Sequence, residues 1–250
     1  MKPKAGRKRL DLLLVERGCA PSPQKAMAMI LAGEVQVDGQ RVEKAGMPVA
    51  EDARIEIASR LQKFVSRGGA KLEGALQDFA FDPAACVCLD IGSSNGGFTD
   101  CLLQHGAARV YAVDVNVEQL DWKLRQDPRI VRIERNAREL IAGDISENVD
   151  FVVIDVSFIS VRKVIAPALV SAKPGATLLI LIKPQFELRR EEVGLGGIVK
   201  DKKLHEKAIL AVRNHVESLG LECLGVLPSR LLGAEGNQEY FLHARKKSME

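Results

Sequence analysis

The fold of this chain follows from residues 86–99, which read Cys86-Val-Cys-Leu-Asp-Ile-Gly-Ser-Ser-Asn-Gly-Gly-Phe-Thr99. The apolar first half has the composition of a buried strand, and the glycines form a turn before a helix that contains Cys101, Leu102 and Leu103. Such a turn lets a ligand approach the backbone closely at the carboxyl end of a sheet. The stretch therefore predicts the first strand, turn and helix of an α/β domain that binds a ligand.

Short apolar runs continue to alternate with helical segments after this turn, which is typical of a parallel sheet with crossover helices. The predicted strands are residues 86–90, 110–114, 130–134, 151–155, 177–183, 221–227 and 240–244. This pattern predicts a doubly wound, Rossmann-like α/β domain with seven strands over residues 70–250. Residues 61–69 are the predicted linker before it, and Gly68-Gly69 is expected to mark a bend.

Residues 1–60 predict a separate and smaller α+β module. A first helix ends at Gly18, and a second begins after Ser22, whose hydroxyl can cap it. The hydrophobic period then changes to two, and Asp38-Gly39 is a favoured turn dipeptide for a β-hairpin. A further strand is expected around residues 55–57. Two helices and a hairpin form a module that is too small to be an enzyme.

The positive charge of the chain is concentrated in this N-terminal part. The whole chain carries a formal net charge of +3, yet residues 1–63 hold 12 Lys and Arg against 8 Asp and Glu, and the remaining residues are near −1. Such a surplus is expected where a module contacts phosphates. The residues predicted to contact phosphates, such as those of RNA, are Arg7, Lys8, Arg9, Arg17, Lys25 and Arg41.

Composition argues against several other classes of protein. No apolar stretch approaches the roughly 20 residues of a membrane-spanning helix, and the basic N-terminus lacks the apolar region and cleavage site of a secretory signal peptide. The five cysteines are an odd number without metal-ligand spacing, which favours reduced, packed thiols over disulfides or a metal site. We expect a cytoplasmic protein without a bound metal.

The glycine turn suits S-adenosylmethionine better than a dinucleotide or a nucleoside triphosphate, because it matches neither G-x-G-x-x-G nor a Walker loop. In methyltransferases an acidic residue just before the glycines, here Asp90, faces the amino-acid end of the cofactor. Asp114, at the end of the second strand, can accept hydrogen bonds from both ribose hydroxyls. Asn136, just past the third strand, is predicted near the adenine edge, and its alternative interpretation is an ordinary solvated or capping asparagine. The predicted cofactor-binding residues are Asp90, Gly92, Ser93, Gly96, Gly97, Phe98, Asp114 and Asn136.

The same turn also fits a competing motif. Residues 92–96 match G-x-S-x-G, the nucleophile elbow of α/β-hydrolases, and Asp155 and His243 follow in the chain order of that triad. The elbow belongs late in its sheet, whereas this turn follows the first predicted strand of the domain. The sequence therefore favours the methyltransferase and leaves the hydrolase as an alternative.

Four ionisable residues are predicted at one edge of the sheet. Lys71 lies in the helix that leads into the second domain, Asp155 ends the fourth strand, Lys183 ends the fifth, and Glu239 opens the last. A lysine on an apolar strand such as Leu178-Leu-Ile-Leu-Ile-Lys183 is costly to bury without partners, so Lys183 is the most informative of the four. Its alternative interpretation is a lysine that emerges into solvent at a strand end.

Together, these four residues resemble the Lys-Asp-Lys-Glu tetrad of ribose 2′-O-methyltransferases. The segments Arg67-Gly-Gly-Ala-Lys-Leu, Ile154-Asp-Val-Ser-Phe-Ile-Ser, Ile182-Lys-Pro-Gln-Phe-Glu and Gly236-Asn-Gln-Glu-Tyr are similar to the TlyA family, also called hemolysin A, which is similar to FtsJ-type RNA methylases. Residues 22–39 resemble the RNA-binding domain shared by pseudouridine synthases, tyrosyl-tRNA synthetases and a small-subunit ribosomal protein. The resemblance implies an S-adenosylmethionine-dependent enzyme that methylates cytidine ribose in ribosomal RNA or ribosomal subunits.

The resemblance also implies a role for each catalytic residue. The 2′-hydroxyl must lose its proton as it attacks the sulfonium methyl, and Lys183 would accept that proton as a neutral amine, which burial and the second cation Lys71 favour. Asp155 and Glu239 would hold the two amines in position. The leaving group is a neutral thioether, so no metal is needed. The alternatives are an RNA-binding protein with an inactive methylase fold and a membrane-active hemolysin, although the sequence has no long cationic amphipathic helix.

Overall fold

A computed structural model describes residues 6–57, 63–233 and 235–248. The chain divides into two compact units, residues 1–63 and 64–250. The division falls within the segment 61–69 that the sequence predicts as a linker. The ends of the two predicted domains, at residues 60 and 70, stay predictions.

Over its described residues, 6–57 and 63, the first unit contains two helices and two small antiparallel sheets. Its elements in chain order are β1 (Arg7–Arg9), α1 (Leu10–Glu16), α2 (Pro23–Leu31), β2 (Val35–Val37), β3 (Gln40–Arg41), β4 (Pro48–Ala50) and β5 (Ile55–Ile57). Strand β2 lies between β3 and β5, and β1 pairs with β4. The two helices, the hairpin and the strand β5 confirm the α+β module that the sequence predicts.

Local interactions explain where these elements begin and end. The hydroxyl of Ser22 accepts a hydrogen bond from the backbone N–H of Lys25 at 3.2 Å, and this bond caps α2 as predicted. Asp38 and Gly39 have φ angles of 50° and 79°, which the tight turn between β2 and β3 requires. The helices pack on the sheet through a core of fully buried side chains, among them Leu10, Leu14, Ile30 and Val35.

The pairing of β1 with β4 is a feature that the sequence does not predict. Strand β1 consists of three basic residues, and of the six residues in the two strands only Val49 is buried. Neither segment shows the alternation of apolar and polar residues by which a strand is recognised. The pair therefore depends on backbone hydrogen bonds, which leave no signal in the hydrophobic pattern.

The second unit is built on a seven-stranded sheet. Its helices and strands are α3 (Arg67–Asp78), β6 (Val87–Ile91), α4 (Gly97–Gln104), β7 (Arg109–Asp114), α5 (Trp122–Arg125), β8 (Ile130–Glu134), β9 (Val149–Ile154), α6 (Arg162–Ala168), β10 (Ala172–Ile182), α7 (Pro184–Glu187), α8 (Lys202–Ser218), β11 (Leu221–Pro228) and β12 (Tyr240–Lys246). The strand order is β11-β12-β10-β9-β6-β7-β8, and β12 runs antiparallel to both of its neighbours. The seven-stranded, doubly wound fold is confirmed.

Both faces of this sheet are buried. Along β6, Leu89 and Ile91 face one hydrophobic core and Cys88 faces the other, and along β9 the side chains of Val152 and Phe151 divide in the same way. Strands that are covered on both faces have no polar side, which is why they form continuous apolar runs in the sequence. The sheet thus holds the carboxyl ends of β6, β7, β9 and β10 rigidly along one edge.

The expected bend at Gly68-Gly69 is wrong. Both glycines lie in the first turn of α3, which begins at Arg67. A Cβ atom on Gly69 would lie 2.8 Å from the carbonyl oxygen of Gly97 at the start of α4. Glycine is needed here because α3 approaches α4 closely, not because the chain changes direction.

Candidate active site

The glycine turn between β6 and α4 lies at the carboxyl edge of the sheet. Gly92 and Gly96 have φ angles of 84° and 91°, in the left-handed region that favours glycine. A Cβ atom on Gly92 would lie only 2.2 Å from the carbonyl oxygen of Asp155. Position 92 therefore requires glycine, because the chain that leaves β9 passes directly against the turn.

A cleft lies over this turn. One cavity of about 370 Å³ and a neighbouring one of about 360 Å³ share Gly92, Ser94 and Asp155 in their walls, so they are parts of a single cleft over the ends of β6, β7 and β9. Six predicted cofactor-binding residues line the cleft, namely Gly92, Ser93, Gly97, Phe98, Asp114 and Asn136. The other two, Asp90 and Gly96, do not contribute to its walls.

Asp114 and Asn136 face the second cavity. The Oδ2 atom of Asp114 accepts a hydrogen bond from the N–H of Ser94 at 2.9 Å, and its Oδ1 accepts one from the N–H of Asn116 at 3.1 Å. Each carboxylate oxygen keeps a lone pair for a ligand hydroxyl. Asn136 accepts a hydrogen bond from the N–H of Arg138 at 3.2 Å, which confirms that it is a capping residue. Its place beside an adenine stays a prediction.

Asp90 is completely buried behind the turn. Its Oδ2 accepts a hydrogen bond from the hydroxyl of Thr99 at 2.6 Å, and burial raises the pKa of its carboxyl to about 7. In the described part of the chain, Oδ1 of Asp90 and Oγ of Ser93 are buried without a hydrogen-bond partner. Buried polar atoms normally have partners. An unpartnered hydroxyl at Ser93, in the wall of the cleft, fits a site that a polar ligand completes.

The four predicted catalytic residues form two ion pairs. The Nζ atom of Lys71 lies 2.6 Å from Oε2 of Glu239, and the Nζ atom of Lys183 lies 2.5 Å from Oδ1 of Asp155. The side chains of the first pair are 10% and 3% exposed. Lys71 and Asp155 line the same cavity, so both pairs border the cleft. The sequence predicted these four residues at one edge of the sheet. The structure places both pairs beside the same cleft and shows which lysine pairs with which carboxylate.

Lys183 is held by more than one group. It follows β10 directly, and its amine also donates a hydrogen bond to the hydroxyl of Ser157 at 2.9 Å. Its side chain is 11% exposed, so the interpretation of a solvent-exposed lysine at a strand end does not hold. The carboxylate of Asp155 offsets the cost of burying the ammonium group.

The hydrolase alternative is not supported by the contacts. A catalytic base must lie within hydrogen-bond reach of its nucleophile, and no hydrogen bond joins Ser94 to His243 within the residues that the structure describes. His243 lies in the interior of β12, where its ring packs against Phe79 with centroids 5.1 Å apart. Asp155, the third member of that triad, is paired with Lys183 instead.

The six predicted RNA-contacting residues differ in how their side chains are engaged. Arg7 and Lys25 are exposed and have no ion-pair partner among the described residues. Arg17 donates hydrogen bonds to the carbonyl oxygens of Glu51 and Ala53, which makes it a structural residue of the first unit. The other three are in ion pairs, Lys8 with Glu16, Arg9 with Asp11 and Arg41 with Glu43. Their contact with RNA stays a prediction.

The sequence analysis does not predict three residues that lie within four positions in the chain of an ion-paired residue. Phe158 is 89% exposed and has a φ angle of 66°, and it lines the cleft. The carboxylate of Glu187 is buried, and so is the amide of Asn237, which bonds to the backbone of Gly197 and Val199. All three lie in the segments that carry the TlyA resemblance, which is the sequence signal that could have identified them.

Neither a metal-binding group nor a membrane-spanning helix is found among the residues that the structure describes. Within residues 6–57, 63–233 and 235–248, no three His, Cys, Asp or Glu side chains form a group that could hold a metal ion, and a metal-free protein stays a prediction. Over the same ranges, no helix combines the length and the apolar character needed to cross a bilayer.

Comparison with known proteins identifies both units. Residues 64–246 match the FtsJ-like methyltransferase family, and residues 8–55 match the S4 domain. The chain is 45% identical over 247 residues to the 16S/23S rRNA (cytidine-2′-O)-methyltransferase TlyA of Mycobacterium tuberculosis, a match that covers 98% of this chain and 92% of the relative. It is 41% identical over 238 residues to Hemolysin A of Brachyspira hyodysenteriae, covering 94% and 98% of the two chains.

A solved structure agrees with these matches. A protein from Streptococcus thermophilus, named as a candidate hemolysin, is 36% identical and has a TM-score of 0.75, with 97% of this chain and 89% of that chain covered. Family, relatives and structure therefore agree over almost the full length. The chain belongs to the TlyA family of FtsJ-like methyltransferases and carries an S4 domain in its N-terminal part.

Proposed function

We propose that this protein transfers a methyl group from S-adenosylmethionine to the 2′-hydroxyl of a cytidine in ribosomal RNA, within the cytoplasm. The observation that carries the proposal is the pair of lysine–carboxylate contacts, Lys71 with Glu239 and Lys183 with Asp155, at the wall of the cleft over the glycine turn. The names of the TlyA relatives point to the same reaction. The S4 domain supports an RNA or ribosomal partner.

The residues of the cleft suit S-adenosylmethionine. Asp114 would bind the ribose hydroxyls, Asn136 would lie near the adenine, and the glycine turn with Ser93 would hold the amino-acid end, where the buried Ser93 hydroxyl lacks a partner among the described residues. Asp90 would act from behind the turn, since its carboxyl does not reach the cleft wall. When bound, the cofactor supplies an electrophilic methyl group and leaves as a neutral thioether, so the reaction needs no metal ion.

The two ion pairs have different roles at the ribose: one accepts the proton of the 2′-hydroxyl, and the other orients the sugar. Lys183 accepts the 2′ proton at its Nζ atom once that amine is neutral, and Asp155 then keeps the resulting ammonium close to the hydroxyl. Lys71, held by Glu239, orients the ribose from the wall of the same cavity that Asp155 lines. Alignment of the two reactants contributes most of the acceleration, because positioning can remove on the order of 7–11 kcal/mol of a barrier.

RNA is held by two kinds of side chain. Arg7 and Lys25 are exposed basic residues of the first unit, and each can neutralise a phosphate. Phe158 presents an exposed aromatic ring at the cleft, and aromatic rings stack on unpaired bases. Base stacking beside a reactive hydroxyl is what a single-stranded or flipped-out nucleotide requires.

Methyl incorporation tests the proposal. Purified protein is incubated with S-adenosylmethionine labelled in its methyl group and with ribosomal subunits lacking the modification, and the modified nucleotide is mapped. We expect label on a cytidine ribose. Cofactor and RNA binding without incorporation would favour the inactive methylase fold, and leakage of liposomes without incorporation would favour the membrane-active alternative.

A further inference from the structure

Glu187, the last residue of α7, is a buried carboxylate that the reaction described above does not use. Only 1% of its side chain is exposed. Its Oε2 accepts a hydrogen bond from the hydroxyl of Ser160 at 2.6 Å, and its Oε1 accepts one from the backbone N–H of Val161 at 2.6 Å. The guanidinium of Arg162 completes the set at 3.2 Å. A buried carboxylate is costly unless donors surround it, and these donors all come from residues 160–162.

These contacts join the two segments that carry the second ion pair. Residues 155–162 begin with Asp155, and residues 183–187 begin with Lys183. The segments meet first at the ion pair, then at the rings of Phe158 and Phe186, whose centroids are 5.5 Å apart, and finally at Glu187. The carboxylate thus fixes the end of both segments that lies away from the reacting groups.

Phe158 lies between the Asp155 ion pair and the contacts to Glu187, and its backbone has an unfavourable conformation that these contacts must stabilise. Its φ angle of 66° is in the left-handed region that favours glycine, and its ring is exposed rather than packed in a core. Such a conformation persists only where neighbouring contacts determine it. The Asp155 ion pair holds the chain before Phe158, and the bonds to Glu187 hold the chain after it.

We propose that Glu187 is a positioning residue, which fixes residues 155–162 and thereby sets the orientation of Asp155 toward Lys183. The expected effect of Glu187 on methyl transfer rests on the proposed function, whereas its effect on the conformation of residues 155–162 does not. Glutamine has nearly the same shape, but its amide nitrogen carries donors only. In Glu187→Gln that nitrogen would face either the N–H of Val161, which loses its acceptor, or the pair Ser160 and Arg162. In the second case the hydroxyl of Ser160 can turn to accept, but the guanidinium of Arg162 loses its contact with residue 187. One tie between the segments is lost in both cases while the core keeps its volume.

The test compares Glu187→Gln with a matched control, Glu192→Gln. Glu192 is also an ion-paired carboxylate close to Glu187, but its partner is Lys207 at 2.5 Å, and it makes no described bond to residues 155–162. Three quantities are measured on the full-length protein: the single-turnover rate of methyl transfer at saturating ribosomal substrate, the affinity and stoichiometry of S-adenosylmethionine binding, and amide hydrogen exchange over residues 156–162.

In Glu187→Gln we expect the single-turnover rate to fall at least tenfold, cofactor affinity to stay within twofold, and the Val161 amide to exchange faster. Glu192→Gln should match the wild type in all three. A wild-type rate in Glu187→Gln overturns the proposal, and so does a loss of rate that equals the loss of cofactor-binding stoichiometry. If the wild type itself methylates no RNA, the proposed function fails, and unchanged exchange over residues 156–162 separately overturns the role of Glu187.

Discussion

The ammonium group of Lys71 and the carboxylate of Glu239 form a buried ion pair, with Nζ 2.6 Å from Oε2, across a separation of 168 residues in the chain. Lys71 belongs to α3, and Glu239 immediately precedes β12. The pair therefore fixes α3 to the start of β12, which lies beside the carboxyl end of β10. Its contribution to stability can be separated from its contribution to activity, because the two partners can be removed singly or together.

Glu239→Leu should lower the free energy of unfolding by about 3–5 kcal/mol, because it leaves the Lys71 ammonium buried without a partner. The double variant Lys71→Met with Glu239→Leu should recover most of that loss, since well-packed apolar side chains replace both charges. Neither variant should transfer methyl groups at a measurable rate. Urea unfolding gives the first two results, and methyl incorporation gives the third. A double variant as unstable as the single one would contradict this account of the pair.

Asp114→Ala should weaken the binding of S-adenosylmethionine by about 1–3 kcal/mol, because charge-assisted hydrogen bonds to the ribose are lost. Glu134→Ala is the matched control. Glu134 lies directly opposite Asp114 in the register of β7 and β8, but its side chain is exposed and lines neither part of the cleft. Titration calorimetry on both variants decides the matter. Equal affinities for the two would remove Asp114 from the cofactor site.

The stability of the fold should depend on pH through Asp90. Burial raises the pKa of its carboxyl to about 7, from an ordinary value of 3.8. Between these two values the folded state keeps a proton that the unfolded chain has lost, so the contribution of Asp90 to stability is complete below pH 3.8 and is lost as the pH rises through 7. Asparagine does not titrate. Relative to the wild type, Asp90→Asn should therefore gain on the order of 1–3 kcal/mol between pH 5 and pH 8.

Asp127→Asn serves as the control for this pH effect. The guanidinium of Arg129 lowers the pKa of the Asp127 carboxyl, so that group is ionised in both the folded and the unfolded state from pH 5 to pH 8. Its difference from the wild type should be constant over that range. Denaturant unfolding at the two pH values measures both variants. A constant difference for Asp90→Asn as well would show that the Asp90 carboxyl is not protonated in the folded state.

Salt dependence tests the basic residues of the first unit. Each phosphate that a protein neutralises contributes roughly 0.7–0.9 to the slope of log affinity against log salt concentration. The double variant Arg7→Ala with Lys25→Ala should flatten that slope by roughly 1–2 for ribosomal RNA, with cofactor binding unchanged. Arg245→Ala, which removes an exposed arginine paired with Glu222, should leave the slope as it is. An unchanged slope in the double variant would exclude these two residues as phosphate contacts.

The sequence predicted the elements whose signals are local and periodic. The strands of the large sheet are buried on both faces, so each leaves an apolar run, and the turn dipeptide Asp38-Gly39 has the positive φ angles that its residues favour. The strand pair β1 with β4 was not predicted, because basic residues paired through their backbones leave no pattern. The bend at Gly68-Gly69 was a wrong prediction, because the sequence does not distinguish a glycine that permits close helix packing from a glycine in a turn.

In the active site, the positions of Asp155, Lys183 and Glu239 at one edge of the sheet could be predicted from the sequence, because each residue lies at the end of a predicted strand. Sequence could not show how these groups pair, because that depends on side-chain geometry across segments far apart in the chain. It also could not show that Asp90 lies behind the turn rather than in the wall of the cleft. Glu187 was not predicted because the hydrophobic pattern does not distinguish a buried glutamate from an exposed one, and only the family resemblance of residues 182–187 marks its position.

In the proposed reaction, Lys183 accepts the proton of the ribose hydroxyl. Lys183→Ala should remove nearly all methyl transfer while the fold and cofactor binding survive, because the amine acts mainly on the transition state. Lys183→Arg is more discriminating. A guanidinium can keep an ion pair with Asp155, but it is effectively never deprotonated and cannot serve as a base.

The most direct measurement is the single-turnover rate of Lys183→Arg on a ribosomal RNA fragment, followed across pH and compared with Lys183→Ala and the wild type. We expect the arginine variant to bind S-adenosylmethionine normally and to be almost as inactive as the alanine variant at every pH. Substantial methyl transfer by Lys183→Arg would contradict the account, because it would show that the two ion pairs only position the substrate and that the proton leaves by another route.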